Sequence, residues 1–119
     1  MTPNAQRIAI AEACGWTEIR HNPRTEVWDG VPPKEQEHQW DVLVPDYLTD
    51  LNAMHEAEKL AKITHDSAVF DIWCRHLFRI VEGCELSGTT ARPLNRAIVK
   101  ATAAQRAEAF LRTLNLYTP

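Results

Sequence analysis

The chain has 119 residues and a mass of 13.5 kDa, enough for one domain with a modest core and too few for two domains. Its 45% hydrophobic residues, 24% charged residues and formal net charge of -3 are typical of a globular protein and argue against binding to duplex nucleic acid. No apolar run approaches the roughly 18 residues that cross a bilayer, no secretory signal opens the chain, and the cysteines form no close pair. We therefore predict a single domain over residues 1–119, in the cytoplasm, with no membrane partner.

The first part of the chain predicts a helix followed by a β-hairpin. Thr2, which precedes a proline, caps a helix whose apolar residues keep helical spacing up to Cys14, and the next glycine stops it. Residues 16–20 and 25–28 are rich in aromatic and β-branched types, and residues 21–24 between them have turn chemistry. These two runs indicate the two strands of the hairpin.

A loop and a short strand are expected next. Residues 29–39 contain Gly30, two prolines and several charged or amide side chains, which favour a surface loop long enough to carry function. Residues 40–44 are apolar and end at Pro45, which predicts a short strand.

Two helices are predicted in the middle of the chain. Thr49 is the expected cap of the first, which covers residues 50–63 and has lysines in its last turn. The second follows residue 66 and ends at Gly83. Its buried stripe is expected to consist of Phe70, Trp73, Cys74, Leu77, Phe78 and Val81.

The last third of the chain predicts a loop, an ambiguous segment and a helix. Residues 85–93 have loop composition. Residues 94–100 fit either a strand or an early helical turn, and we favour the strand. Thr102 and Gln105 form a capping box that starts a helix ending near Leu116. The whole chain is thus predicted to be a small, helix-rich α+β domain with an antiparallel sheet.

Few residues have the spacing of a catalytic or metal site. His55 beside Glu56 and Cys74 near His76 are local clusters, but neighbouring side chains on a helix diverge, and neither cluster has zinc spacing. Cys74 lies on an apolar stripe, which indicates a core thiol rather than a nucleophile. The sequence contains no phosphate-loop, dinucleotide or hydrolase motif. We predict no metal, no cofactor and no catalysis, and we interpret acid pairs such as Glu56 and Glu58 as surface charge.

Arginine and tryptophan give the composition its one informative bias. Nine of the 13 Lys and Arg residues are Arg, and the chain has four Trp. Arginine binds phosphate through two hydrogen bonds and tryptophan stacks on bases, so the pair suits a nucleotide ligand, and it suits a protein interface equally well. The helix starts at Thr49 and Thr102 offer N–H groups to phosphate, and Arg20 with Arg24 forms a second cluster. The predicted ligand-binding residues are Arg106, Arg96, Arg92, Thr102 and Trp28.

Three runs of the sequence resemble a known family. RIAIAEACGW near the start, PDYLTDLNAMHEAEK in the middle and ATAAQRAEAFLRTLNL at the end are similar to small bacteriophage and prophage proteins with the phage ABA sandwich domain. The runs cover about a third of the chain, and the central run is the most specific. The resemblance implies a layered α-β-α domain. The helix expected over residues 70–81 departs from the family pattern, which has sheet strands there.

Proteins similar to this domain include the Thoeris anti-defence sponges, which capture cyclic nucleotide immune signals as oligomers and leave them chemically unchanged. The resemblance implies that Arg106, on the last helix, lies near the ligand. It also implies a homo-oligomer in the cytoplasm of a bacterial host.

Two functions therefore stay open. The first is a non-enzymatic phage or prophage protein that sequesters a small phosphate-bearing nucleotide signal, with arginines on the phosphates, N–H donors at Thr102 and Trp28 stacked on a base. The rival is a small interaction module that docks on a host or phage protein and has no small-molecule site. Broad apolar helix faces fit burial in an oligomer under either hypothesis. A hydrolase of the same signals has little support, since no nucleophile, base or metal set emerges.

Overall fold

Five α-helices and a three-stranded antiparallel sheet make up the described part of the chain. The computed structural model describes residues 1–33, 42–84 and 91–119, and the backbone alone for residues 42 and 91–93. The predicted α+β fold class with an antiparallel sheet is confirmed. In chain order the elements are α1 (Pro3–Ala13), β1 (Thr17–Asn22), β2 (Val27–Val31), β3 (Val42–Leu43), α2 (Leu51–Leu60), α3 (Ser67–Glu82), α4 (Ala91–Lys100) and α5 (Ala103–Thr113).

Helix α1 begins and ends as predicted. The Thr2 hydroxyl accepts the Ala5 N–H at 3.1 Å, which satisfies one of the free donors of the first turn. The chain leaves the helix through Gly15, whose φ of 101° only glycine adopts without strain. A Cβ at Gly15 would also lie 3.1 Å from the Cβ of Pro33. This turn directs the chain into β1.

Strands β1 and β2 form the predicted hairpin, and β2 lies between β1 and β3. The prediction that a loop starts at Asp29 is wrong. Asp29 pairs with Leu43, and Gly30 pairs with Val42, so this stretch is the centre of the sheet. Hydrogen bonds on both sides extend β2 to Val31, because pairing between strands outweighs local turn propensity.

Glycine is required inside β2. A Cβ at Gly30 would lie 3.1 Å from the carbonyl oxygen of Thr17 on the neighbouring strand. The remainder of the predicted loop, residues 34–39, lies outside the described residues. The same holds for Trp40, where the third strand was predicted to start.

Helix α2 is present where the sequence predicts one, but with a different cap. The Asp50 carboxylate, rather than Thr49, accepts the Ala53 N–H at 3.1 Å, so the predicted Thr49 cap is wrong. The helix ends at Leu60, short of the predicted end. Lys62 then turns the chain with a left-handed φ of 58°.

Helix α3 matches the prediction closely. Asp66 caps its start, and Gly83 ends it in the left-handed conformation. The side chains that α3 buries are Trp73, Cys74, Leu77 and Phe78. Phe70 was predicted to be buried with them, yet it is 37% exposed and stacks on the Trp73 ring.

Helix α4 corrects the prediction of a strand over residues 94–100. Ala97 is buried and Leu94 packs against the core, a spacing that places both on one helical face. This face packs against α3, which makes the helix the better way to bury these residues. Residues 91–93 of the predicted loop belong to α4, and residues 85–90 lie outside the described residues.

Helix α5 is the centre of the helical core, where it packs against α1, α2 and α3. The predicted capping box is confirmed, since the Thr102 hydroxyl accepts the Gln105 N–H at 3.2 Å and the Gln105 side chain accepts the Thr102 N–H at 2.9 Å. The buried residues of α5 are Ala103, Arg106, Ala107, Ala109, Phe110 and Leu111. The three alanines let neighbouring helices approach closely, and Arg106 is the one charged residue among them.

Candidate functional site

Arg106 lies where four helices meet. Its Nε and Nη2 atoms donate to the two carboxylate oxygens of Glu58, at 3.2 Å and 2.9 Å. Nη1 donates to the Ile98 carbonyl at 3.1 Å, and the guanidinium carbon lies 5.1 Å from the centroid of the Trp73 ring. These contacts connect α5 to α2, α4 and α3.

The Glu58–Arg106 ion pair is withdrawn from solvent, with Glu58 4% exposed and Arg106 8% exposed. Burial raises the pKa of Glu58, while the hydrogen bonds and charge of Arg106 lower it. Glu58 is therefore not the surface charge that was predicted. Nor is Arg106 placed as a phosphate ligand, because all three of its nitrogens are hydrogen-bonded within the fold. The structure gives Arg106 a structural role.

The other predicted ligand residues are spread over α4, the start of α5 and β2. The hydroxyl and N–H of Thr102 are both used in the α5 capping box. Arg96 is exposed on α4, and the side chain of Arg92 lies outside the described residues. Of the described side chains, those of Arg106, Thr102 and Arg96 line neither of the two surface cavities described below.

Trp28 belongs to the hairpin and packs against the core. Its ring centroid lies 4.9 Å from that of His21, its partner across the strands. Successive residues of a strand face opposite sides of the sheet, so Arg20 and its partner Asp29 lie on the other face. Arg20 of the predicted Arg20–Arg24 cluster therefore lies on the face of the hairpin opposite to Trp28.

A groove between α3 and α5 brings cationic side chains from both helices together. It has a volume of about 200 Å³ and is lined by His76, Arg79, Ile80, Glu108 and Arg112. The first three project from α3 and the last two from α5, each set within about one helical turn. Among the lining residues that the structure describes, two guanidinium groups and an imidazole face one carboxylate.

Arg112 is held in place at one end of the groove. Its Nε donates to a Glu108 carboxylate oxygen at 2.9 Å, and its guanidinium carbon lies 4.2 Å from the centroid of the Tyr117 ring. The side chain remains 41% exposed. A guanidinium carries one N–H on Nε and four on the two Nη atoms. Arg112 can therefore bind Glu108 and an anionic ligand at the same time.

A second cavity, of about 300 Å³, lies at the hairpin turn. Its lining residues are Arg20, His21, Asn22, Pro23 and Asp29. Among its described lining residues, one arginine is accompanied by one carboxylate. This cavity is less suited to an anion than the groove.

Sequence reasoning missed the groove because its cations are ordinary features of amphipathic helices. The available signal is spacing, since His76 and Arg79 share a face of α3, and Glu108 precedes Arg112 by one turn of α5. Spacing within a helix does not reveal which helix faces meet. The packing of α3 on α5 decides that.

Other chemistries find little support in residues 1–33, 42–84 and 91–119. In this part of the chain no three His, Cys, Asp or Glu side chains are grouped as metal ligands, and no helix is long and apolar enough to cross a membrane. Burial raises the pKa of the Cys14 thiol to about 12 and that of Cys74 to about 11. Both thiols therefore stay protonated at neutral pH and are poor nucleophiles.

Comparison of the chain with protein-family models, with curated proteins and with solved structures found no match. The resemblance to the phage ABA sandwich domain therefore stays a prediction. A function has to be argued from the residues of the groove.

Proposed function

We propose that this protein binds a small phosphate-bearing nucleotide in the groove between α3 and α5 and sequesters it without chemical change. One observation supports the proposal above all: Arg79, Arg112 and His76 line a single cavity from two helices that pack together. Guanidinium groups bind phosphate oxygens through paired, charge-assisted hydrogen bonds, and an imidazole adds a further N–H donor.

The size of the groove indicates which part of the ligand it holds. Its volume of about 200 Å³ is below the roughly 300–1,000 Å³ of pockets that enclose a whole drug-sized ligand. We therefore place a phosphate and the adjoining sugar in the groove, with Ile80 as an apolar contact. The base then lies at the rim.

Sequestration requires affinity and abundance, and no catalytic group. Under this proposal the protein acts in the bacterial cytoplasm as a phage or prophage product, where it lowers the free concentration of a cyclic nucleotide signal of host defence. A homo-oligomer would multiply the number of groove sites per particle. The biological setting rests on the sequence resemblance, and the groove supplies the chemistry that it needs.

Isothermal titration with 3′,5′-cyclic AMP, cyclic ADP-ribose and a cyclic dinucleotide tests the proposal. We expect R79A and R112A to weaken binding by at least about tenfold, the loss of one charge-assisted phosphate contact. R75A is the matched control, because Arg75 is also an exposed arginine of α3 and pairs with Asp71 at 3.0 Å. R75A removes the same charge outside the groove, and the affinity of this variant for the nucleotide should stay within about twofold of that of the parent protein.

Unchanged affinity in R112A would rule out the groove as the ligand site. An equal loss in R75A would show that only the total charge matters. Chromatography of the ligand after prolonged incubation separates sequestration, in which it is recovered intact, from hydrolysis.

Exposed apolar side chains favour the rival function, docking on another protein. Val99 on α4 is 83% exposed and Leu43 on β3 is 62% exposed. Further large apolar side chains that are more than a third exposed are Leu51, Phe70, Ile72 and Leu116. Isolated exposed apolar residues are common in monomers. A protein that binds none of the three nucleotides in the titration would favour this alternative.

A further inference from the structure

We infer that Tyr117 is a positioning residue of the groove: its ring holds the Arg112 guanidinium as a preformed fork for one phosphate group of the ligand. The inference rests on the proposed function, because it assumes that Arg112 binds phosphate. It adds a residue from the segment after α5 to a site otherwise built from α3 and α5.

The backbone after α5 places Tyr117 beneath Arg112. Asn115 adopts the left-handed conformation with a φ of 59°, which asparagine tolerates better than most residues. Its N–H donates to the Arg112 carbonyl at 3.2 Å, and the Leu116 N–H donates to the Leu111 carbonyl at 2.8 Å. The chain therefore folds back along the end of the helix, and Tyr117 packs half-buried against the core.

Arg112 is consequently held on two sides. Glu108 fixes Nε at 2.9 Å, and the Tyr117 ring lies 4.2 Å from the guanidinium carbon. A cation beside an aromatic face is attracted by the ring, and a stacked arginine keeps a planar, oriented fork. The four N–H donors on the Nη atoms lie at the end of the guanidinium opposite to the side chain, where they can reach two oxygens of one phosphate.

Because the Arg112 guanidinium is held in place before the ligand binds, less side-chain entropy is lost on binding. An exposed arginine that a ligand must order loses side-chain freedom on binding. Tyr117 should therefore act on affinity through Arg112, without touching the ligand. A phosphodiester is the fitting ligand group, since two of its oxygens match the spacing of the fork.

The test measures the dissociation constant of 3′,5′-cyclic AMP for the parent protein, Y117L and Y117F. We expect Y117L to weaken binding by roughly threefold to tenfold, the loss of one pre-ordered side chain. Y117F retains the ring and should stay within about twofold of the parent. Thermal unfolding of both variants checks that the fold is kept. If Y117L does not fold, Y117M, which also lacks a ring, takes its place with the same expected loss.

A double-mutant cycle separates positioning from direct contact or a general structural role. In an R112K background, where no planar fork remains, Y117L should change the affinity by less than about twofold. The same loss in both backgrounds would overturn the inference. Normal binding by Y117L together with lost binding by R112A would overturn it as well, while leaving the proposed function intact. Failure of the parent protein and of every variant to bind would remove the proposed function itself.

Discussion

Two arginines of α5 have the same kinds of partner in opposite environments. Each binds a glutamate and lies against an aromatic ring. The partners are Glu58 and Trp73 for Arg106, and Glu108 and Tyr117 for Arg112. Arg106 is 8% exposed and its partners come from three other helices, whereas the Arg112 side chain is 41% exposed and its partners lie on α5 and just after it.

The comparison shows that partner chemistry alone does not tell a structural arginine from a ligand-binding one. A buried pair is costly to break, because removal of one partner leaves an uncompensated charge in a low-dielectric core. An exposed pair contributes little to stability, because water and salt screen it. The exposed arginine keeps donors that face solvent, and it is therefore the one available to a ligand.

The largest expected effect is on the buried pair. R106A should lower the free energy of unfolding by about 3–5 kcal/mol, since it leaves the Glu58 carboxylate buried without its partner. The double variant E58M/R106M should lose less than R106A, because an apolar pair of similar volume carries no unpaired charge. Urea unfolding of the three proteins measures both differences. A double variant no better than R106A would show that packing, rather than charge, dominates at this position.

Loss of the exposed Glu108–Arg112 pair should affect nucleotide binding more than stability. R112A is expected to change the free energy of unfolding by no more than about 0.5 kcal/mol, since it removes a screened pair between residues one helical turn apart. The same variant should weaken nucleotide binding by about tenfold. A large loss of stability in R112A would contradict the division of roles between the two arginines.

The pH dependence sharpens the contrast further. Burial raises the pKa of Glu58 above its value of 4.5 in the unfolded chain, so the folded state binds this proton more tightly. The contribution of Glu58 to stability therefore falls as pH rises from 4.5 through the pKa of the folded state. Arg106 lowers the pKa of Glu58, so R106A should raise it further. The destabilisation by R106A should therefore grow as pH rises through the folded-state pKa of Glu58, which lies above 4.5. Unfolding curves from pH 4 upward test this, and a pH-independent difference would contradict it.

The smallest effect concerns the thiols. Cys84 is exposed, whereas Cys14 and Cys74 are buried with raised pKa values of about 12 and about 11. In the native protein a thiol-labelling reagent should modify Cys84 first. Cys74 follows Trp73, whose ring packs against the Arg106 guanidinium. R106A should therefore speed the labelling of Cys74, and R112A should not. Mass spectrometry of partly labelled protein assigns each site.

Much of the fold follows from local signals in the sequence. Thr2 and Gly15 bound α1, Thr102 starts α5, and Gly83 ends α3, because each supplies a hydrogen bond or a backbone conformation that a helix end needs. The errors share a physical cause. Residues 94–100 and Asp29 had local preferences that their long-range partners, α3 and β3, overrode.

From the sequence, only the chemical class of the ligand could be predicted, and not the residues that bind it. The bias toward arginine indicates anion chemistry, yet the predicted ligand residue Arg106 is buried in an ion pair, and the proposed one is Arg112. Both arginines lie on α5, and their neighbours in sequence are ordinary helical residues. Spacing within α5 indicates the Glu108–Arg112 pair, but no local signal shows that Arg106 meets Glu58 across the core.

The sequence by itself determined the ends of α1 and α3, the start of α5, the hairpin and most of the buried stripe of α3, because capping bonds, glycine conformations and spacing act over a few residues. Only the tertiary structure decided that Glu58 and Trp73 enclose Arg106, and that α3 brings His76 and Arg79 to face Arg112. These contacts join residues far apart in the chain. The packing of whole helix faces sets the solvent exposure of each charge, and that exposure separates the structural arginine from the proposed ligand-binding one.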